Sequence, residues 1–219
     1  MSIHTYIRRY ALFLTGVILS ATGIAFITRA GLGTSPVSGL PFVLSLVTGI
    51  SMGTFTFLFN MTFLVLEALL RKKFTIQQTF QIPITFFFSF CIDVAMRFIP
   101  TRFGGPWGPS FVYLVIGCII MALGISFEVI ADVIMLPAEA LVREISRQSG
   151  IRFGNVKVAF DSTLTILAMV VALIAFHKLN GVREGTLINA LCVGQLVRLW
   201  RAFVEVPLKK ICTAEPVTE

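Results

Sequence analysis

Charge is scarce in this sequence: Asp, Glu, Lys and Arg together make up 13% of its 219 residues. The longest polar stretches are Glu139 to Asn155 and a short tail after Val206, and neither can bury a core of its own. A soluble domain is thereby excluded. Histidine occurs only as His4 and His177, both at the ends of apolar runs, and there is no HExxH and no glycine-rich phosphate loop. Hydrolytic and nucleotide-driven chemistry lose their usual carriers, so no enzyme is expected. The four cysteines, Cys91, Cys118, Cys192 and Cys212, show no CxxC spacing, and three sit inside apolar runs. They read as small buried hydrophobes, and neither a metal, a cofactor nor a disulfide framework is expected. The net charge of +7 comes from basic residues clustered at the ends of apolar runs. That is the positive-inside pattern, and it argues for a lipid bilayer and against a nucleic-acid partner.

What fills the chain instead is apolar: 56% of it is hydrophobic and the mean hydropathy is +0.90, the composition of an all-α polytopic membrane protein. Run lengths predict six transmembrane helices over residues 10–28, 54–70, 80–99, 110–132, 156–176 and 186–204. The first follows Arg8 and Arg9 but is too long, and lacks a small-residue cleavage site, for a signal peptide. The sixth is the weakest, because Arg198 and Arg201 intrude. Glu67 stands one turn before Arg71, and Asp93 one turn before Arg97, so each can pair along its helix. Gly16, Ser20 and Gly23 in the first span, and Gly117 and Gly124 in the fourth, form small-residue stripes suited to internal packing or to a homodimer. In the connector PTRFGGPWGP, Trp107 is a headgroup-level anchor.

Between the first two spans lies GLGTSPVSGLPFVLSLVTGISMG, residues 31–53, where Thr34 or Ser35 precedes Pro36 as an N-cap precedes a first-turn proline. A short helix is predicted over 36–48, closed at Gly49 and too short to cross a core roughly 30 Å thick. Its start carries partial positive charge and could hold a negative group. The plainer reading is a tight connector with an ordinary cap.

The same pattern returns at an interval of 101: Pro36 falls on Pro137, Gly16 on Gly117, Gly23 on Gly124, Gly49 on Gly150 and Gly53 on Gly154. Asn60 falls on Asp161, Thr85 on Thr186 and Arg97 on Arg198, with no gap. Helix-breaking residues in register are hard to obtain by chance, so the chain divides into a first repeat, 1–105, and a second, 106–219. The counterpart of the short helix, 137–149, is amphipathic, with Glu139, Arg143, Glu144 and Arg147 on one side and Ala140, Leu141 and Ile145 on the other. It is expected to lie on the membrane surface.

Three spans per repeat is an odd number, so the two three-helix repeats must be inverted relative to each other. A cytoplasmic N-terminus gathers Arg8, Arg9, Arg71, Lys72, Lys73, Arg143, Arg147, Arg152, Lys157, Arg198, Arg201, Lys209 and Lys210 at the inner face. Only Arg29, Arg97, Arg102, Lys178 and Arg183 are left at the outer one. A multi-pass protein of the bacterial inner membrane with both termini in the cytoplasm is the expectation.

Polar groups at membrane depth are costly, and the candidate site is drawn from them: Gly33, Thr34 and Ser35 at the short-helix start, Asn60, Asp93, Glu128, Asp132 and Asp161. Inverted-repeat carriers place substrate and coupling ion where the two halves meet, and a desolvated carboxyl there can exchange a proton. Competing with this, Asp93 can simply pair with Arg97, Asp132 can sit at the interface, and Glu128 or Asp161 can close an interhelical hydrogen bond. The phenylalanines, including Phe86 to Phe88, read as lipid-facing or core.

The element Ala30-Gly31-Leu32-Gly33-Thr34-Ser35-Pro36, followed by Thr48-Gly49-Ile50-Ser51-Met52-Gly53-Thr54, resembles the YczE/YyaS/YitT family of bacterial integral membrane proteins, nearest its YczE-like branch. The resemblance spans nearly all the hydrophobic chain and implies weight on residues 31–36. It also implies transport, with a vitamin B6 vitamer as the suggested cargo. Residues and resemblance together lead to a secondary carrier of a small polar or anionic metabolite, proton-coupled through its buried acids. The rival is a non-transporting scaffold or regulatory subunit whose polar residues only pack helices.

Overall fold

The computed structural model describes residues 3–101, 106–178 and 181–213. Arg102 and the side chains of Lys209, Lys210 and Cys212, used in the charge and cysteine readings, lie outside the described residues, as does the side chain of His4. The described residues form helices only: α1 (Ile3–Arg29), α2 (Pro36–Thr48), α3 (Met52–Arg71), α4 (Ile76–Phe98), α5 (Trp107–Ala131), α6 (Pro137–Ser149), α7 (Phe153–Phe176) and α8 (Glu184–Thr213). Six of them, all but α2 and α6, are long and apolar enough to cross a membrane. Large apolar side chains point outward along them, among them Phe86, Phe98, Ile174, Leu187 and Phe203, as befits a surface solvated by lipid. The fold is that of a polytopic helical membrane protein.

The short helices start and stop where their sequence says. Ser35 caps α2, its hydroxyl accepting the Ser38 amide, Pro36 opens the first turn, and Gly49 closes it at φ 76°. Gly150 closes α6 in the same way at φ 72°. The amphipathic α6 keeps Arg143 and Arg147 exposed. It packs against α3 and α7, with Leu141 and Val142 buried. An apolar stripe can be covered by lipid or by protein, and the stripe alone does not distinguish them.

At the centre α1 and α5 cross in opposite directions: Arg9 bonds the Ala131 carbonyl at 2.8 Å, Gly16 lies against Gly124, and Ile27 against Gly117. The contact is self-complementary across the 101-residue interval, since Gly16 meets Gly124 and its counterpart Gly117 meets Gly23, the counterpart of Gly124. A Cβ at Gly124 would stand 2.6 Å from the Gly16 carbonyl oxygen, and one at Gly117 2.9 Å from that of Gly23. Small residues let the two backbones approach and use up their stripes inside the chain. Flanking this crossing, α4 packs on α1 and α8 on α5, while each short helix packs on the long helix of the other half, α2 on α7 and α6 on α3. Carbonyls one interval apart do equivalent work: Met96 accepts from Arg29 Nε at 3.0 Å and Val197 from Ser126 at 3.4 Å.

The apolar interior follows the helical period. Phe13, Val17, Ala21 and Ile24 form one stripe of α1 and pack with Phe88 and Ile92 of α4. Leu40 and Val43 of α2 meet Leu164 and Ala168 of α7 together with Leu141 of α6. The correspondence is incomplete: α1 touches α8, whereas α5 and α4 barely touch. Helices α3 and α4 pack along their length, whereas α7 and α8 barely touch.

Candidate functional site

The residues singled out from sequence do not converge. Thr34 and Ser35 are buried where the segment before α2 meets the start of α8: the Thr34 amide donates to Thr186 Oγ1 at 3.2 Å, the Thr34 and Thr28 hydroxyls share a 2.7 Å bond, and the Gly185 amide donates to the Leu32 carbonyl at 2.7 Å. Gly33 sits at φ 123° with Thr186 so close that a side chain could not fit. The Thr34 and Ser38 amides are thus engaged within the protein. Glu128 accepts the Ser20 hydroxyl at 2.6 Å across the α1–α5 crossing. Asp132 is at the end of α5 with its side chain 92% exposed, 4.0 Å from Arg9. Asp161 pairs with Lys157 at 2.9 Å on its own helix, and its counterpart Asn60 donates to the Thr56 carbonyl at 2.9 Å. Residues 56 and 157 are also one interval apart, so both turns are built alike.

Asp93 does not pair with Arg97, which is exposed. Its carboxylate reaches across to the start of α3, Oδ1 accepting the Gly53 amide at 2.7 Å and Oδ2 the Ser51 hydroxyl at 2.6 Å. The first amides of a helix carry partial positive charge and lack partners of their own, so this contact wins over a solvent-exposed i,i+4 pair. Gly53 lies against the Ser89 carbonyl, and the T-shaped pair Phe57 and Phe86, ring centres 6.0 Å apart, joins the two helices further along. Replacing Asp93 with alanine is expected to cost about 1–2 kcal/mol, as loss of an N-cap does. Denaturant unfolding of the purified variant measures it, and an unchanged midpoint would mean that the two helices are not held there.

Along the buried face of α4 runs a file of polar side chains that sequence reasoning passed over: Gln78, Gln81, Thr85 and Ser89, each at most 4% exposed. At 100° per residue they fall within roughly a third of the helix circumference. Gln78 Oε1 accepts the Thr75 amide at 2.8 Å, and Gln81 Nε2 donates to the Met135 carbonyl at 2.9 Å. Gln81 Oε1 has no hydrogen-bond partner, nor do the hydroxyls of Thr85 and Ser89. Beside Gln78 stands Glu67 of α3, within reach of its Nε2. Thr56, Asn60 and Glu67 continue the polar line on the buried face of α3. Each buried polar atom without a partner costs about 1–3 kcal/mol, so Gln81 Oε1 and the two hydroxyls are retained only if something else requires them.

At the Glu67 end the seam runs into an ion cluster. Arg71 lies 3.0 Å from Glu67 and 3.2 Å from Glu144 of α6, and Arg147 and Gln148 bond Glu144 at 2.6 and 2.8 Å. The hydrogen bond from Arg147 is the main cause that holds the Glu144 carboxyl at about 2, against its burial and with help from Gln148, Arg147 and Arg71. The pairing of Glu67 with Arg71 was expected from spacing; the arrival of Glu144 from the other half was not. Among the described residues no three His, Cys, Asp or Glu side chains converge on a metal position. Two shallow apolar hollows, one along the end of α3 and one between α1 and α4, face outward and include none of the polar file.

No curated protein and no solved structure matches the chain. Over residues 7–202 it matches the model described as a family of unknown function, DUF6198, and it belongs to that family.

Proposed function

We propose that this chain is a secondary carrier of a small polar solute, built from two three-helix halves inserted in opposite senses, with both termini in the cytoplasm of a bacterial inner membrane. The YczE-like resemblance of residues 30–54 supports the same reading. The observation that carries it is the unequal state of the two halves. In the first, α3 is closed on α4 through Asp93, Ser51, Gly53 and Ser89. In the second the counterparts are Gly194, Arg152, Gly154 and Ala190, and a Cβ at either Gly154 or Gly194 would meet nothing within 4 Å.

Two copies of one unit in different conformations are what alternating access needs, because exchanging the two conformations opens the other side of the membrane. The polar seam of α3 and α4 is then closed in one state and opened in the other, while α7 closes on α8. Cysteines at Gly154 and Ala190 test this. In native membranes the pair is expected to form an oxidant-induced disulfide that stops uptake, although α7 and α8 barely touch in the conformation described. If both thiols react with maleimide yet never cross-link, the two-state cycle is wrong. Uptake by proteoliposomes, beginning with the vitamin B6 vitamers that the resemblance suggests, separates a carrier from a scaffold.

A further inference from the structure

We propose that the seam between α3 and α4 takes a solute that donates hydrogen bonds and carries no negative charge, an inference that deepens the carrier reading and rests on it. The repeat supplies its own control. Counterparts of Glu67, Gln78, Gln81 and Ser89 are Ala168, Leu179, Val182 and Ala190. Val182 precedes α8 and Ala190 is exposed on it, whereas Ala168 is buried at the position of Glu67, so packing there does not require the carboxylate. Of the shared hydroxyls, Thr186 is occupied by the Thr34 amide, whereas its counterpart Thr85 has no partner.

The chemistry of the unfilled atoms sets the class. Gln81 Oε1 only accepts, the hydroxyls of Thr85 and Ser89 can do either, and the one pure donor, Gln78 Nε2, is met by Glu67. Between Asp93 and Glu67 neither α3 nor α4 carries a cation: Arg71 lies between Glu67 and Glu144, Arg97 is exposed, and Arg143 of α6 lies against Met135. An anion therefore finds no counter-charge along the file. A neutral or cationic donor meets acceptors along the whole file.

The test is reagent selectivity at Ser89→Cys and Thr85→Cys, each in a background with Cys91, Cys118, Cys192 and Cys212 replaced by alanine, and with Ser149→Cys as an exposed reference. In membranes, the cationic trimethylammonium-ethyl methanethiosulfonate is expected to modify both seam cysteines about tenfold faster, relative to the reference, than the anionic sulfonatoethyl reagent does. Adding Glu67→Gln narrows that preference. Absence of reaction at both positions while position 149 reacts, or equal rates for the two reagents, overturns the proposal. If the 154–190 disulfide forms but the seam does not react, the carrier reading stands and this site falls. Selective reaction without the disulfide leaves the site and removes the two-state cycle.

Discussion

Gly23→Val is expected to lower the melting temperature sharply. A Cβ at position 23 would lie 2.5 Å from the Met121 amide nitrogen and 2.7 Å from its Cα, so the obstruction is backbone that no rotamer change can move aside. Overpacking in a well-filled interior typically costs about 1–3 kcal/mol. Here it falls on the crossing that joins the two halves, in a protein whose net stability is of order 5–15 kcal/mol. Gly117→Val should be destabilised likewise, since Ile27 and the Gly23 carbonyl stand within 2.9 Å. Gly154→Ala should leave thermal stability unchanged or slightly raised, because that position opens on empty space. Size-exclusion profiles and melting in detergent report all three. A monodisperse Gly23→Val protein with an ordinary melt would mean that α1 and α5 do not cross at these glycines.

Arg71→Met is the second large effect. Glu67 and Glu144 have side chains 2% and 1% exposed, and Arg71 is the cation they share. Removing it strands buried charge, which costs about 3–5 kcal/mol, far above the loss of an exposed pair. Adding Glu67→Gln to Arg71→Met should recover part of that loss, because the amide needs no counter-charge. The cluster also gives a pH signature. The Glu144 carboxyl is held at about 2, below its ordinary 4.5, so folding favours the ionised form. The resulting stabilisation is fully present above pH 4.5 and is lost as pH falls toward 2. Unfolding followed by circular dichroism between pH 6 and 3 should show the decline in the native chain and less of it in Glu144→Gln. An identical decline in both would place the acid sensitivity elsewhere.

The reach of sequence reading can be judged from particular residues. The ends of α2 and α6 were legible because their signals are local: a capping serine before a proline at one end, a glycine in the left-handed region at the other. Glu67 with Arg71 was legible for the same reason, both partners lying on one turn. Asp93, which the same spacing allowed to pair with Arg97, belongs instead to the amide of Gly53, forty residues away in the chain. The polar file of α4 was open to detection, since Gln78, Gln81, Thr85 and Ser89 share one stripe. Attention to charge alone hid it, because none of the four is ionisable. That Glu128 binds Ser20, and that the α2 start is buried under Thr186, depend on contacts more than a hundred residues apart.

Run length and composition determined that this chain makes six apolar helices and two short ones, and glycine and proline recurring at one interval align Pro36 with Pro137 and Gly49 with Gly150. Both are properties of a segment and its neighbours, set by backbone geometry and by the cost of polar groups in hydrocarbon. Only tertiary structure decided whether a buried face meets protein or lipid, which polar atoms find partners, and that α3 closes on α4 while α7 stands off from α8. Those outcomes depend on which surfaces of distant segments meet, and apolar helices associate in lipid through shape and hydrogen bonding that hydropathy does not encode.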